Sequence, residues 1–157
     1  MWWREVAALG ALTVEPMSGE ERAAADVHPT AIIDESAGAV RLGPGTKVRA
    51  GAYVAGPVSI GADCLIGNNV MLRGPTVIGD QVRIGFAAEI KQARIADEVL
   101  IGPQCFVADS LVERGAYLGA QVRTSNQRLD RASVAVRSGD GLTDTGMAKL
   151  GCRIGAE

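Results

Sequence analysis

The sequence predicts an all-β chain wound into a single-stranded parallel β-helix, and three observations predict it. Long aliphatic residues recur every six positions, smaller apolar residues stand two positions before them, and glycine commonly follows the aliphatic. Six residues then make one short flat strand and one corner, and three such sides close a triangular coil of 18 residues.

The long row runs Leu42, Val48, Val54, Ile60, Ile66, Leu72, Ile78, Ile84 and Ile90, then Ile95, Ile101, Val107, Val112 and Leu118, with the steps to Ile95 and Val112 shortened to five. The smaller row includes Val58, Cys64, Val70, Thr76, Val82, Ala88, Ala93, Val99 and Cys105. Both rows are expected to point inward. A helix would need apolar residues three and four apart, and an isolated hairpin would not hold a strict six over this length. Glycine at 43, 61, 67, 79, 85, 102 and 119 suits a chain that turns a corner after each strand.

The repeat claims roughly residues 40 to 120, which divides the chain into a cap segment, 1–27, and a β-helix domain, 28–157. In the cap, Trp2, Val6 and Leu9 fall on one helical face, so a short helix covering the open first coil is expected. After Leu118 the rhythm stops, and a polar stretch at about 124–148 predicts a protruding loop.

Composition narrows the partners. The chain has 157 residues, 22% of them charged, with a net charge of −2, so no basic surface points to nucleic acid. No run nears the length of about 18 apolar residues that a membrane span needs. The apolar stretch Val6 to Val14 follows Arg4 but also Glu5, and it lacks a cleavage site for a secretory leader. Three widely spaced cysteines, Cys64, Cys105 and Cys152, form neither a disulfide framework nor a zinc spacing, which fits a reducing cytoplasm. Cys105 lies on the inward row, as a structural thiol would.

Several chemistries are excluded. His28 is the only histidine, so no three-histidine zinc site can form within one chain, and no metal is expected. Gly43-Pro44-Gly45-Thr46-Lys47 lacks phosphate-loop spacing, and no serine sits in a nucleophile elbow.

Two corners depart from the pattern in an informative way. Arg73 follows Leu72 and Lys91 follows Ile90 where glycine is usual, and the two are 18 residues apart. One coil should therefore separate them on a single edge, about 5 Å apart, a spacing suited to holding an anion such as a phosphate.

The six-residue pattern is that of the left-handed β-helix proteins, and Val27 to Ile33 resembles their usual opening. The segment Glu89-Ile90-Lys91-Gln92-Ala93-Arg94-Ile95 resembles the acetyltransferase domain of the bifunctional sugar-1-phosphate nucleotidyltransferase/glucosamine-1-phosphate N-acetyltransferases. Val107-Ala108-Asp109-Ser110, Thr124-Ser125-Asn126 with Arg128 and Asp130, Asp144-Thr145-Gly146 and Lys149-Leu150-Gly151 follow in the family's order, over roughly residues 60 to 155.

The resemblance implies a left-handed helix, a homotrimer with sites between prisms, and acetyl-CoA as acyl donor. It implies that Arg73 and Lys91 hold the sugar phosphate, that Asn126 borders the site and that the backbone of Ala120 touches the coenzyme. It also marks departures. Pro103 stands where the family has its catalytic histidine, and proline cannot accept a proton. Phe106 replaces a tyrosine, and Tyr117 replaces the asparagine lining the sugar pocket. Glu89 and Asp109 are then the nearest carboxylates available as a base. The family's nucleotidyltransferase domain has no counterpart in these residues, and the likeness stops at Glu157, where the family continues into further coils.

Three functions follow as expectations. The first is a CoA-dependent acyltransferase acting on a phosphorylated sugar or nucleotide sugar. The second is a non-catalytic trimeric sugar-phosphate-binding or scaffold protein, and the third an assembly module joining a separate nucleotidyltransferase.

Overall fold

The computed structural model describes residues 1–139 and 141–155, and the repeat becomes a three-faced parallel β-solenoid. The first face stacks Asp26–Val27, Lys47–Val48, Leu65–Ile66, Arg83–Ile84, Leu100–Ile101 and Tyr117–Leu118. The second stacks Ile32–Asp34, Tyr53–Ala55, Met71–Arg73, Glu89–Lys91 and Phe106–Ala108. The third stacks Val40–Leu42, Val58–Ile60, Thr76–Ile78, Arg94–Ile95, Leu111–Val112 and Arg153–Ile154. Ladders within each face are parallel. This is the architecture that the left-handed family resemblance implies.

Register confirms the coil length and explains the two short steps. Leu65 pairs with Arg83, 18 residues on, but Arg83 pairs with Leu100, 17 on. The missing residue is at the corner between the second and third faces. There Gly56-Pro57 and Gly74-Pro75 turn two coils, whereas Gln92 and Asp109 turn the next two with one residue in the left-handed region, at φ 45° and 51°. Short polar side chains such as that of Asp tolerate this conformation better than most.

Both predicted rows form the core. Ile66, Leu72, Ile84, Ile90, Ile95 and Ile101 are fully buried, with Val70, Val82, Ala88, Ala93 and Val99 beside them. Each such large side chain stabilises the fold by roughly 1.5–3 kcal/mol through its removal from water.

Glycine after the aliphatic has a different cause from the one expected. At Gly85 the backbone is not left-handed; a Cβ there would lie 2.7 Å from the backbone nitrogen of Pro103 on the next coil. Close stacking of coils, and not turning, requires the glycine. The left-handed residues come two positions later, as at Ala87 and Gln104.

The N-terminal segment also departs from expectation. Helix α1, Trp2–Ala8, is present but does not cover the first coil. It packs against Leu111 on the penultimate strand of the third face, burying Trp3 and Val6 with Leu150, while Trp2 is only partly buried. The chain then passes Arg41, Ser59 and Val77 of the third face. Met17 enters the core at the first coil, its sulfur 3.1 Å from the Leu42 amide. Helix α2, Gly19–Ala23, follows with a capping box between Ser18 and Glu21. Arg22 pairs with Glu35, and Glu21 with Arg41. Trp2, Val6 and Leu9 gave the helix, but nothing in their spacing says which end of the solenoid receives it.

The protruding loop leaves the solenoid after Asn126. Gln127 and Lys149 bridge across its base, and its outer part is an antiparallel hairpin of Ala135–Ser138 with Gly141–Asp144. The solenoid resumes when Arg153–Ile154 stacks on Leu111–Val112.

Candidate functional site

Arg73 and Lys91 are direct register partners on the second face. The strand alternation that buries Leu72 and Ile90 turns both cations outward, one above the other, at the edge where the chain turns to the third face. The same alternation places Glu89 outward on the strand of Lys91, and Asp109 occupies the corner one coil above.

Each cation already has a carboxylate partner. Arg73 donates to Glu89 through Nη2, with both side chains substantially exposed. Lys91 Nζ lies 3.6 Å from Asp109 Oδ2, and here the side chains are 18% and 1% exposed. Asn126 Nδ2 donates to the same oxygen at 2.6 Å, while Asp109 Oδ1 is buried without a hydrogen-bond partner among the described residues. An exposed pair contributes about 0–1 kcal/mol. Removing one member of a buried pair costs about 3–5 kcal/mol, because the other charge is left unpaired. The first pair is therefore easily opened and the second is not.

Asp109 also ties down the loop. Its backbone oxygen accepts from the Gly151 amide, and the Leu150 amide donates to the Asn126 oxygen. Gly151 passes so close to Ser110 and Ala108 that a side chain there would collide with both. Thr124, buried just before the loop, accepts from the Ala108 amide at 2.9 Å. Arg128 and Asp130 pair farther out on the loop, and the guanidinium holds the Asp130 carboxyl far below the usual carboxylate range.

On the opposite edge of the second face lies a groove of about 550 Å³ lined by Ala87, Glu89, Gln104, Cys105, Phe106, Gln121 and Arg123. Glu89 thus borders both the groove and the cationic edge. Pro103 adjoins Gln104 at the groove's corner, one coil below Ala120, and Ala120 is exposed beside Gln121. Gln121 donates to the Gln104 side chain at 3.2 Å.

The structure therefore brings together Arg73, Glu89, Lys91, Asp109 and Asn126. Ala120 is near the groove but not at the cationic edge. Tyr117 is 70% exposed on the first face, in register with Leu100, and so lies apart from the phosphate-binding candidates within one chain. Of the two carboxylates considered as bases, Asp109 is enclosed and holds its neighbours in place, whereas Glu89 faces an open groove. Gln104, Gln121 and Arg123 were missed in the sequence. Ala87, Gln104 and Gln121 stand 17 residues apart, so counting outward rows as carefully as inward ones would have found two of them.

The cysteines are not placed for nucleophilic work. Cys64 donates to the Gly79 carbonyl at 3.1 Å, and burial pushes its thiol pKa up, as it does for Cys152. Cys105 donates to the Gly119 carbonyl. Among the described residues no group of metal-ligating side chains converges, and no helix is long and apolar enough to cross a membrane.

The repeat also matches known proteins. The bacterial transferase hexapeptide family (six repeats) matches residues 39–74 and 57–92. The chain is 52% identical over 124 residues to "Uncharacterized acetyltransferase YaiX" of Escherichia coli O6:K15:H31 (strain 536 / UPEC), an alignment covering 79% of this chain and 54% of that one. It is 42% identical over 62 residues to "Bifunctional protein GlmU" of Anaeromyxobacter dehalogenans, covering 40% of this chain and 13% of the other. Among solved structures, PerB from Caulobacter crescentus in complex with CoA and GDP-perosamine is 20% identical with a TM-score of 0.40, over 76% of this chain and 56% of that one. The chain spans about half the length of the YaiX relative it matches. In its repeat and its stacked coils the chain is similar to the bacterial transferase hexapeptide family, and over 124 residues to a relative named as an acetyltransferase.

Proposed function

We propose that the chain is the β-helix of a CoA-dependent acyltransferase, which passes an acetyl group from acetyl-CoA to an amine or hydroxyl of a phosphorylated sugar or nucleotide sugar. The observation that carries this reading is the vertical pair of Arg73 and Lys91. Two stacked cations at one edge form a two-point site for an acceptor phosphate, with Asn126 at its border. The acceptor's amine or hydroxyl then extends across the second face toward the groove.

In the reaction the acceptor nitrogen or oxygen attacks the thioester carbonyl, a carbon–nitrogen or carbon–oxygen bond forms, and the carbon–sulfur bond breaks to release the coenzyme thiolate. Glu89 is the candidate that takes the acceptor's proton, since the histidine position holds Pro103 and Asp109 is enclosed. Backbone near Ala120, exposed at the groove's corner, is the candidate contact for the coenzyme. Alignment of acceptor and thioester lowers the barrier of such a direct transfer by making the encounter effectively unimolecular.

A homotrimer in the cytoplasm fits this reading. Ile32 and Met71 on the second face, Leu100 and Tyr117 on the first and Phe86 at the corner between them are exposed apolar residues suited to packing against further copies. Tyr117 would then border a site shared between neighbours. Pro103 supports the second reading, a trimeric sugar-phosphate-binding scaffold without catalysis.

The test follows free thiol release from acetyl-CoA with glucosamine 1-phosphate as acceptor. Turnover abolished in both Lys91→Ala and Glu89→Gln is expected. Absence of turnover, with phosphosugar binding lost in Lys91→Ala, would favour the scaffold; absence of both would rule out a sugar-phosphate site.

A further inference from the structure

The two ion pairs at the cationic edge differ in one respect that matters for any arriving anion. The carboxylate of Asp109 is enclosed, hydrogen-bonded to Asn126 and fixed at a corner, so it stays with Lys91 whatever binds outside. The carboxylate of Glu89 is 32% exposed at the end of a longer side chain, and its partner Arg73 is 45% exposed. Water and an incoming ion reach this second pair from the open face.

We propose that Glu89 is an internal anion that masks Arg73, and that an acceptor phosphate binds by taking the guanidinium from it. The proposal rests on reading this edge as an anion site. Phosphate offers oxygens in the geometry that a guanidinium's parallel N–H groups prefer, and it carries more charge than one carboxylate, so it outcompetes Glu89. The groove is open to the displaced carboxylate. Glu89 already lines the groove shared with Gln104, Phe106 and Gln121, and leaving Arg73 turns it there as a free hydrogen-bond acceptor.

Glu89 is thereby presented to the groove only when the acceptor is bound, which couples occupation of the edge to the availability of a base. It also sets specificity. A sugar without phosphate leaves the mask in place, whereas an anionic one removes it. The fixed Lys91–Asp109 pair keeps the ammonium stationary during the exchange, so that only Arg73 changes partner.

Titration with inorganic phosphate at low ionic strength tests this without requiring turnover, in the wild type, Glu89→Gln, Arg73→Met and the double variant. Glu89→Gln is expected to bind phosphate at least fivefold more tightly than the wild type, and this gain is expected to vanish in the Arg73→Met background. Binding by Glu89→Gln alone, with none by the wild type, also supports the mask. An unchanged or weaker affinity in Glu89→Gln, a gain that persists undiminished without Arg73, or no binding by any variant would overturn it. Thiol release from acetyl-CoA is read separately: a fivefold gain without transferase activity would sink the enzymatic reading and leave the mask standing.

Discussion

Lys91 and Asp109 lie on consecutive coils with the ammonium 3.6 Å from a carboxylate that is 1% exposed, while one coil lower Arg73 pairs with Glu89 in the open. The two cations thus share a register and a charge but not an energetic role. Lys91→Ala is expected to destabilise the fold by about 3 kcal/mol, the low end for stranding a buried charge. Arg73→Ala is expected to stay within about 1 kcal/mol of the wild type. Denaturant unfolding of both variants measures the difference, and equal losses would contradict the assignment of one buried and one exposed pair.

Gly85 and Gly119 occupy the same corner two coils apart, and only the first has a coil stacked closely on it. Gly85→Ala is expected to cost about 1–3 kcal/mol through overpacking against Pro103. Gly119→Ala meets nothing within 4 Å and is expected to change stability by less than about 0.5 kcal/mol. Thermal unfolding of the two variants separates a stacking requirement from a turning requirement, since turning would penalise both alike.

Asp34 gives the fold an acid-sensitive contact. Hydrogen bonds from Ser36 and from the Tyr53 hydroxyl, the latter 2.6 Å away, bring its carboxyl down to a pKa of about 2 from an ordinary 3.8. A carboxyl depressed by folding stabilises above its unfolded value, and that contribution disappears as pH falls toward the folded value. Wild-type protein is therefore expected to lose thermal stability faster than Asp34→Asn between pH 4 and about pH 2. Melting curves across that window check it, and parallel losses in both proteins would speak against the contact.

Trp3 joins the first turn of the chain to the far end of the solenoid, because it is buried with Leu111 and Leu150. Trp3→Ala is expected to cost about 3–5 kcal/mol, as large aromatic truncations do in packed clusters. It should also speed amide exchange at Leu150, whose N–H donates to Asn126 at the loop base. Exchange unchanged at that amide would mean that the helix does not support the loop.

The sequence carried the solenoid plainly because a coil is a local object: Leu72 and Ile90 stack because 18 residues make one turn, and no distant contact is needed to know it. The same arithmetic placed Arg73 on Lys91. It failed where a choice depends on contacts between remote segments. The spacing of Trp2, Val6 and Leu9 defines a helix, but its docking on Leu111 depends on the loop that delivers Leu150. Asp109 read as a possible base because, with Pro103 at the family's histidine position, it and Glu89 are the nearest carboxylates in the sequence. Its burial comes from the one-residue corner at φ 51° together with Asn126 at the base of the loop, and neither is visible in a six-residue pattern. Tyr117 belongs to an outward row of a different face, and only the order of the faces separates it from Arg73.

A crystal of the protein soaked with coenzyme A and glucosamine 1-phosphate tests most directly whether Arg73 and Lys91 together hold the acceptor phosphate. Phosphate density is expected between the guanidinium of Arg73 and the ammonium of Lys91, with the Glu89 carboxylate turned away from Arg73 into the groove beside Gln104. Phosphate held elsewhere on the solenoid, or Glu89 still paired with Arg73 beside a bound phosphate, would contradict that expectation.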